Sequence, residues 1–326
     1  MSIDYAELLN PILEEMKQGR MPWSPEWNDP RSRPMPFNIQ TMKDDPNKTY
    51  RGSNIINLWV TQMIKGYATN AWITMVGLRE LGGKLIILPE DDPKRASNKS
   101  GQKGTPVIFS KPFVPKGQYE QLGDTQMYRN KSDGGVWEFN QVAISRPKIS
   151  GYVFNLDQVE GLPEEYTRSQ IQSFGTHEEV ERMLIRTGIT ERVSHDNSCY
   201  YIPQKDIVSM VSLEHFTSED QWYKVRFHEF GHATGHKIRL DRDQTGKQGT
   251  EEYAFEELVA ELTSAFMSAR FGIPGGTARH ANYLSHYVKH CEKNPKAIFQ
   301  AATKAQEATE WLVGHLPQTL EQEKAA

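Results

Sequence analysis

Apolar positions recur at two different spacings along the chain, and the change of spacing separates predicted helices from predicted strands. Near both ends they recur every three to four residues, as in helices with one buried face. Between 84 and 156 they form short runs separated by glycine-rich turns, which predicts strands. In the first part of the chain the predicted helices cover about 4–18, 55–63 and 72–81, the last after a Thr69-Asn70 cap. The predicted strands cover 84–89, 105–110, 136–144 and 152–156.

Helix start and stop signals are clearest in the second part of the chain. Ser218-Glu219-Asp220-Gln221 reads as a capping box and Gly235 as a helix end, so a helix is predicted over about 218–234. A second apolar-periodic helix begins near Tyr253. Further helices are predicted at 177–187, 277–290 and 294–313, with His280, His286 and His290 on a solvent face as non-ligands. A strand predicted at 199–202 either offers its edge to an extended peptide or lies inside a sheet.

Proline placement suggests how the chain is divided. The prolines between 22 and 36 exclude regular structure there, and the acidic segment Pro163-Glu164-Glu165 reads as a linker. A chain of 326 residues is long enough for two hydrophobic cores. We therefore expect an α+β fold in two domains, a small mixed α/β domain at 1–163 and a mainly helical domain with a short sheet at 164–326.

Composition restricts the class of protein. The net charge of −4 gives no global sign of nucleic-acid binding, so any such signal has to be local. There is no apolar run of membrane-spanning length, and the N-terminus lacks a secretory signal, so we expect a cytoplasmic protein without a membrane partner. Cys199 and Cys291 are too few and too far apart for a disulfide framework or a cysteine metal site. Any metal ligands are therefore expected to be histidine and glutamate.

The segment His228-Glu229-Phe230-Gly231-His232 carries the most specific chemistry in the sequence. On a helix two histidines four residues apart point the same way and can share one metal ion. Glu229 then stands where a general base takes a proton from water at the metal, which is the spacing of hydrolytic zinc sites. The pattern is short enough to occur by chance, but a helix with its own start and stop signals surrounds it. We expect zinc here, or another divalent cation such as Mn²⁺.

A zinc site needs at least one more protein ligand and a position open to water. The helix that begins near Tyr253 carries Glu256, Glu257 and Glu261. This arrangement resembles the glutamate zincins, in which the first acid of Glu-x-x-x-acid is the third ligand and the second orients a ligand histidine. The resemblance implies that Glu257 binds the metal and that Glu261 supports it, with Glu256 as the alternative. Which acid is the ligand stays open at this level.

This region has two competing interpretations. His236 follows the first histidine by eight residues, whereas the metzincin pattern places its third histidine ten residues on, where this chain has Ile238. That spacing argues against His236 as a ligand. The other interpretation is a surface helix rich in histidine and glutamate that binds no metal, and the cap at 218 and the acidic second helix argue against it.

Aromatic and basic residues concentrate in the first part of the chain. Five of the seven tryptophans lie there, and the stretch from Lys94 to Lys116 contains basic but no acidic residues. Aromatic faces that stack bases and cations that follow phosphates are what single-stranded nucleic acid requires. The predicted DNA-binding residues are Trp23, Trp27, Tyr50, Arg51, Lys99, Lys103 and Lys111. The alternatives are that tryptophans such as Trp59 and Trp72 belong to the core and that the basic run is a solvated loop.

Several ordered segments resemble the ArdC-like antirestriction proteins and the N-terminal regions of TraC-type plasmid primases. They are 50–54, Trp72 with the Gly82-Gly83 turn, 103–109, 154–162, 200–203, 228–236, 239–240 and 256–262, and they extend over nearly the whole chain. The resemblance implies an N-terminal domain that binds single-stranded DNA and a C-terminal zincin-like metallopeptidase domain.

Such proteins are encoded on conjugative plasmids and protect incoming DNA from host restriction enzymes. The resemblance therefore implies single-stranded DNA as a partner, with restriction enzymes or other DNA-associated proteins as further ones. The alternative is a DNA-binding shield whose zinc site is structural, or whose proteolysis is dispensable for protection.

Overall fold

The computed structural model describes residues 4–19, 21, 23, 35–45, 48–96, 98–167, 176–274 and 281–316, which form a mixed α+β fold. The helices are α1 (Tyr5–Lys17), α2 (Thr41–Asp44), α3 (Ser53–Lys65), α4 (Met75–Glu80), α5 (Phe139–Val142), α6 (Glu164–Thr167), α7 (His177–Arg186), α8 (Glu219–Thr234), α9 (Glu251–Phe271), α10 (Ala281–Lys293) and α11 (Ala297–Val313). The strands are β1 (Phe37–Asn38), β2 (Ala71–Thr74), β3 (Lys84–Leu85), β4 (Thr105–Phe113), β5 (Tyr119–Gln121), β6 (Met127–Asn130), β7 (Val136–Glu138), β8 (Ile144–Asn155), β9 (Val159–Glu160), β10 (Thr190–Val193), β11 (Tyr200–Ile202) and β12 (Ile207–Met210). Within these ranges no helix combines the length and apolarity needed to cross a membrane.

Contacts divide the chain into a large unit and a small one. The large unit comprises Tyr5–Thr105 and 153 onward, and the small unit comprises 106–152 together with Asp4. In the large unit, helices α1 and α3 bury their apolar faces against α9, α10 and α11 in one core. The indole of Trp59 on α3 lies 5.7 Å from the Phe266 ring on α9 in an edge-to-face arrangement. The expected boundary near residue 163 therefore does not separate two hydrophobic cores, because the N-terminal helices pack on C-terminal ones.

A second core lies under the helix that carries the histidines. Strands β10, β12 and β11 form a sheet in that order, parallel between β10 and β12 and antiparallel between β12 and β11. Apolar side chains of this sheet, α7 and α8 pack together, and Phe227 of α8 stacks on Phe271 of α9. Buried Arg226 of α8 pairs with Glu181 of α7 and, at 2.7 Å, with Glu191 of β10. These contacts fix α8 relative to its sheet.

The segment 71–81 differs from its predicted form. Residues 71–74 form strand β2, parallel to β1 and antiparallel to β8, within a sheet of order β1-β2-β8-β4. The helix starts only afterwards, where the Thr74 hydroxyl accepts a hydrogen bond from the Gly77 N–H at 3.0 Å. The predicted cap at Thr69-Asn70 was therefore wrong, because a short apolar run with aromatic and β-branched residues pairs with β8 instead.

The last helices bury a residue that was expected in solvent. His290 on α10 is buried beside Phe255 of α9, so its placement on a solvent face was wrong. His280 and the side chain of His286 lie outside the described residues.

The small unit is a three-stranded antiparallel sheet of order β5-β6-β7, accompanied by α5 and most of β4 and β8. Among the side chains described between 109 and 152, Val142 alone is buried. This sheet therefore has little apolar core of its own.

Replacing Trp59 with alanine tests whether the N-terminal helices and α9 form one folding unit. The side chain is 1% exposed, so its truncation is expected to lower the free energy of unfolding by about 3–5 kcal/mol. Urea unfolding followed by circular dichroism would show one earlier transition. Ile185→Ala on exposed α7 surface is the control, with a change of less than about 0.5 kcal/mol. A separate, unshifted transition of the C-terminal helices would contradict the shared core.

Candidate metal centre

Helix α8 presents two imidazoles to the same point. It begins at Ser218, whose hydroxyl accepts a hydrogen bond from the Gln221 N–H at 3.2 Å, and Glu219 and Asp220 occupy its first turn. These signals fix the register, so His228 and His232 lie one turn apart on one face. Their Nε2 atoms are 3.2 Å apart, with the rings at 83°.

Helix α9 brings a carboxylate to the same point. Glu257 Oε2 lies 3.6 Å from His228 Nε2, and Glu257 Oε1 lies 3.5 Å from His232 Nε2. Ligands about 2.0–2.1 Å from a tetrahedral metal are separated by roughly 3.3–3.4 Å, so this spacing suits one divalent cation. In the described part of the chain these three residues form the one group of this kind.

The outer nitrogens of both histidines face further carboxylates. Glu261 Oε2 lies 3.5 Å from His228 Nδ1, and Glu256 Oε1 lies 3.2 Å from His232 Nδ1. Each ring is therefore held between Glu257 and one supporting acid, an arrangement that fixes ring orientation in metal sites. The resemblance implies such a supporting role for Glu261. The sequence suggests Glu256 only as an alternative ligand, but its carboxylate faces the outer nitrogen of His232.

Arg242 holds Glu256 in place, and sequence reasoning missed it. Its guanidinium donates to both oxygens of Glu256 at 2.9 and 2.8 Å and to the Gly231 carbonyl at 2.7 Å. Gln244 adds a hydrogen bond to Glu256 at 3.0 Å. Burial alone would raise the pKa of Glu256, but Arg242 and His232 lower it to about 2. No local sequence pattern in the loop between α8 and α9 indicates this role of Arg242.

The same carboxylates raise the pKa values of the two histidines. Burial tends to lower the pKa of His232, but Glu256 and Glu257 raise it to about 9. For His228 the tendency of burial is likewise reversed by Glu257 and Glu261, which raise its pKa well above the ordinary value. Surroundings that stabilise a proton on these rings also stabilise other positive charge at the site, such as that of a metal cation.

Glu229 lies in the cleft beside the two imidazoles. Burial raises the pKa of its carboxyl group, while the nearby histidines and the backbone N–H of Tyr201 oppose that rise. The cleft has a volume of about 540 Å³ and is lined by the three ligand candidates, Glu229 and residues 198–201. Strand β11 is an edge strand of the described sheet, as one of the two alternatives for 199–202 required.

Three of the predicted DNA-binding residues, Trp23, Tyr50 and Arg51, are buried or already paired in the structure. Trp23 is 1% exposed within the core of α1, α3 and α9, so its expected role as a base-stacking face was wrong. Burial raises the pKa of Tyr50 to about 12, and its neighbour Arg51 pairs with Glu310 of α11. Trp59 and Trp72 are core residues, as the alternative interpretation held.

The remaining DNA-binding candidates are lysines and one tryptophan. Lys99 and Lys103 are exposed on the loop before β4. Trp27 and the side chain of Lys111 lie outside the described residues.

Two helix-borne histidines, a carboxylate from the following helix and an edge strand along the cleft define the zincin-like class of metallopeptidase folds. In agreement, the family model described as zincin-like metallopeptidase matches residues 178–304. The model of the N-terminal domain of anti-restriction factor ArdC matches residues 4–136. The chain belongs to the family of ArdC-like antirestriction proteins.

Similarity to known proteins extends along nearly the whole chain. The uncharacterized protein y4eC of Sinorhizobium fredii is 30% identical over 318 residues, which cover 94% of this chain and 91% of that protein. Two Escherichia coli proteins named DNA primase TraC are 29% and 28% identical over 93% of this chain, which spans only 26% and 19% of their lengths.

The antirestriction protein ArdC from plasmid R388 has been solved metal-free and with Mn(II) bound. These structures share 27% and 26% identity with this chain, with TM-scores of 0.68 and 0.69. Each comparison covers 96% of this chain and 98% of the solved one.

Glu261→Gln tests the supporting role of that carboxylate. The neutral amide still fits beside His228 Nδ1 but no longer offers a charge, so the affinity for Zn²⁺ is expected to fall about 10- to 100-fold. Competition with a chromophoric chelator measures this. Glu257→Gln is expected to lose more affinity for Zn²⁺. Glu251→Gln, at the exposed start of the same helix, is expected to bind Zn²⁺ like the unmodified protein. Equal affinity for all variants would contradict the assignment.

Proposed function

We propose that this protein is an antirestriction factor that binds single-stranded DNA and cleaves proteins at a divalent-metal site. The observation that carries the peptidase part is Glu229 in an open cleft beside three potential ligands only 3.2–3.6 Å apart. Its substrates would be proteins attached to or near the bound strand, host restriction enzymes among them. Protection of incoming conjugative DNA would follow from either part or from both.

The residues present fit a divalent cation. Two imidazoles and one carboxylate leave a fourth position open, which is the pattern of catalytic rather than structural zinc. Zinc is the expected metal, and Mn²⁺ is an alternative that a solved relative holds. When bound, the cation supplies Lewis-acid polarisation of a carbonyl and lowers the pKa of a water molecule.

The chain's own groups supply the remaining functions. The Glu229 carboxylate, with its pKa raised by burial, takes a proton from water and returns it to the leaving amine. Strand β11 has an unpaired edge in the described sheet, and its residues line the cleft, so it can hold an extended peptide by main-chain hydrogen bonds. Glu256 and Glu261 keep the histidines oriented.

Glu229→Gln separates catalysis from metal binding. The amide cannot accept the proton, so cleavage of fluorescent casein, with and without oligothymidylate, is expected to fall about 10²- to 10⁴-fold. Zinc content by elemental analysis should stay at the level of the unmodified protein. Unchanged cleavage would exclude Glu229 as the general base.

The same variant decides whether protection needs proteolysis. If Glu229→Gln protects DNA from restriction in a conjugation assay as well as the unmodified protein does, the protein acts as a DNA-binding shield. Loss of protection with DNA binding intact supports the catalytic account.

The DNA-binding part predicts tighter binding of single strands than of duplexes. Binding that relies on phosphate contacts weakens as salt rises, with a logarithmic slope of about −0.7 per contact for single strands. Exposed Lys99 and Lys103 are candidates for such contacts, with Trp27 and Lys111 among the predicted residues. Fluorescence anisotropy with labelled oligothymidylate and its duplex with oligodeoxyadenylate measures both properties. Equal affinity for both forms would contradict this part of the proposal.

A further inference from the structure

The small unit carries an aromatic sheet face. Tyr128 of β6 lies opposite Gln121 of β5 and Trp137 of β7, so these three side chains form a row across the sheet. Tyr119 and Asn130 form the next row on the same side, two residues along each strand. Three aromatic side chains on adjacent strands therefore share one face, with the Phe139 ring 6.0 Å from that of Tyr128.

This face is partly open to solvent. Trp137 is 43% exposed, and Tyr119 and Tyr128 are only partly buried. A sheet of three short strands normally needs a partner on at least one face. An indole at this exposure is available for a planar partner.

The charged residues of the three strands lie on one side of the sheet. Glu120 pairs across the strands with Arg129, and Glu138 lies opposite Met127, so both strand carboxylates stand on the side away from the aromatic rows. The strand residues of the aromatic side carry no charge.

Two exposed lysines flank the Tyr119–Asn130 end of the sheet. Lys116 precedes β5, and Lys131 follows β6 and donates to the Lys116 carbonyl at 2.7 Å. Over 106–152 the chain has six basic and four acidic residues, against a net charge of −4 for the whole. This charge distribution favours the binding of a polyanion.

We propose that this face of the small unit is a base-stacking platform for single-stranded DNA, with Trp137 as its main stacking residue. The proposal rests on the DNA binding proposed above and locates it on residues outside the predicted set of DNA-binding residues. Aromatic residues on adjacent strands of a sheet stack successive bases, and nearby lysines hold the phosphates.

Matched substitutions at Trp137 test the proposal on the full-length protein with labelled oligothymidylate. Trp137→Ile keeps an apolar, strand-forming side chain but removes the ring, and is expected to raise Kd about 5- to 100-fold. Trp137→Phe keeps a ring and should change Kd less than about fivefold. Val136→Ala, on the opposite side of the same strand, should bind like the unmodified protein.

The salt dependence separates stacking from phosphate contacts. Trp137→Ile should leave the slope of log Kd against log salt unchanged, whereas Lys116→Gln with Lys131→Gln should reduce its magnitude by about 1.4. Circular dichroism of each variant checks that the strands are retained.

The outcomes distinguish this proposal from the one on which it rests. If the unmodified protein does not bind oligothymidylate, the proposed DNA binding fails. If it binds, and Trp137→Ile binds equally well or loses no more than Trp137→Phe, the platform assignment is overturned. An apolar face for docking another protein would be the remaining interpretation of that result.

Discussion

The close crossing of α8 and α9 is the constraint on which the metal centre depends. A side-chain carbon added to Gly231 would lie 3.2 Å from both the Ala260 Cα and the Thr263 Cβ, closer than ordinary packing allows. Glycine at this position lets the two helices approach until glutamates of α9 reach histidines of α8. The Ser264 hydroxyl donates to the Lys224 carbonyl at 2.7 Å and fixes the same pair of helices nearer the start of α8.

Charge balance then explains why so many acids occupy a buried site. Glu229, Glu256, Glu257 and Glu261 are all buried, and an unpaired buried carboxylate is costly. Arg242 offsets Glu256, while Glu257 and Glu261 pair with the imidazoles of His228 and His232. A divalent cation shared by both rings would supply the positive charge that this set requires, and removing one acid would disturb the others.

Local patterns gave much of the site and only part of the fold. The α8 cap, the histidine spacing and the acidic start of α9 all lie in short stretches, so the sequence could indicate how these residues come together. Arg242 could not be recognised because its role arises only when a loop folds back on α9. Trp23 was misjudged because its partners lie in distant helices, and neighbouring prolines say nothing about burial. The strand at 71–74 likewise depends on pairing with β8, some 80 residues later.

Helix α9 takes part in two sets of contacts in the large unit, one at the candidate metal centre and one in the hydrophobic core. Its glutamates face α8, while Leu258, Leu262 and Phe266 lie in the core that contains Trp59 of α3. Removing the N-terminal helices would expose this apolar side of α9, and with it the support of the helix that carries Glu257. Part of the region matched to the ArdC N-terminal model therefore completes the core behind the candidate metal centre. A separately expressed zincin-like region would lack that packing, whatever its own sequence encodes.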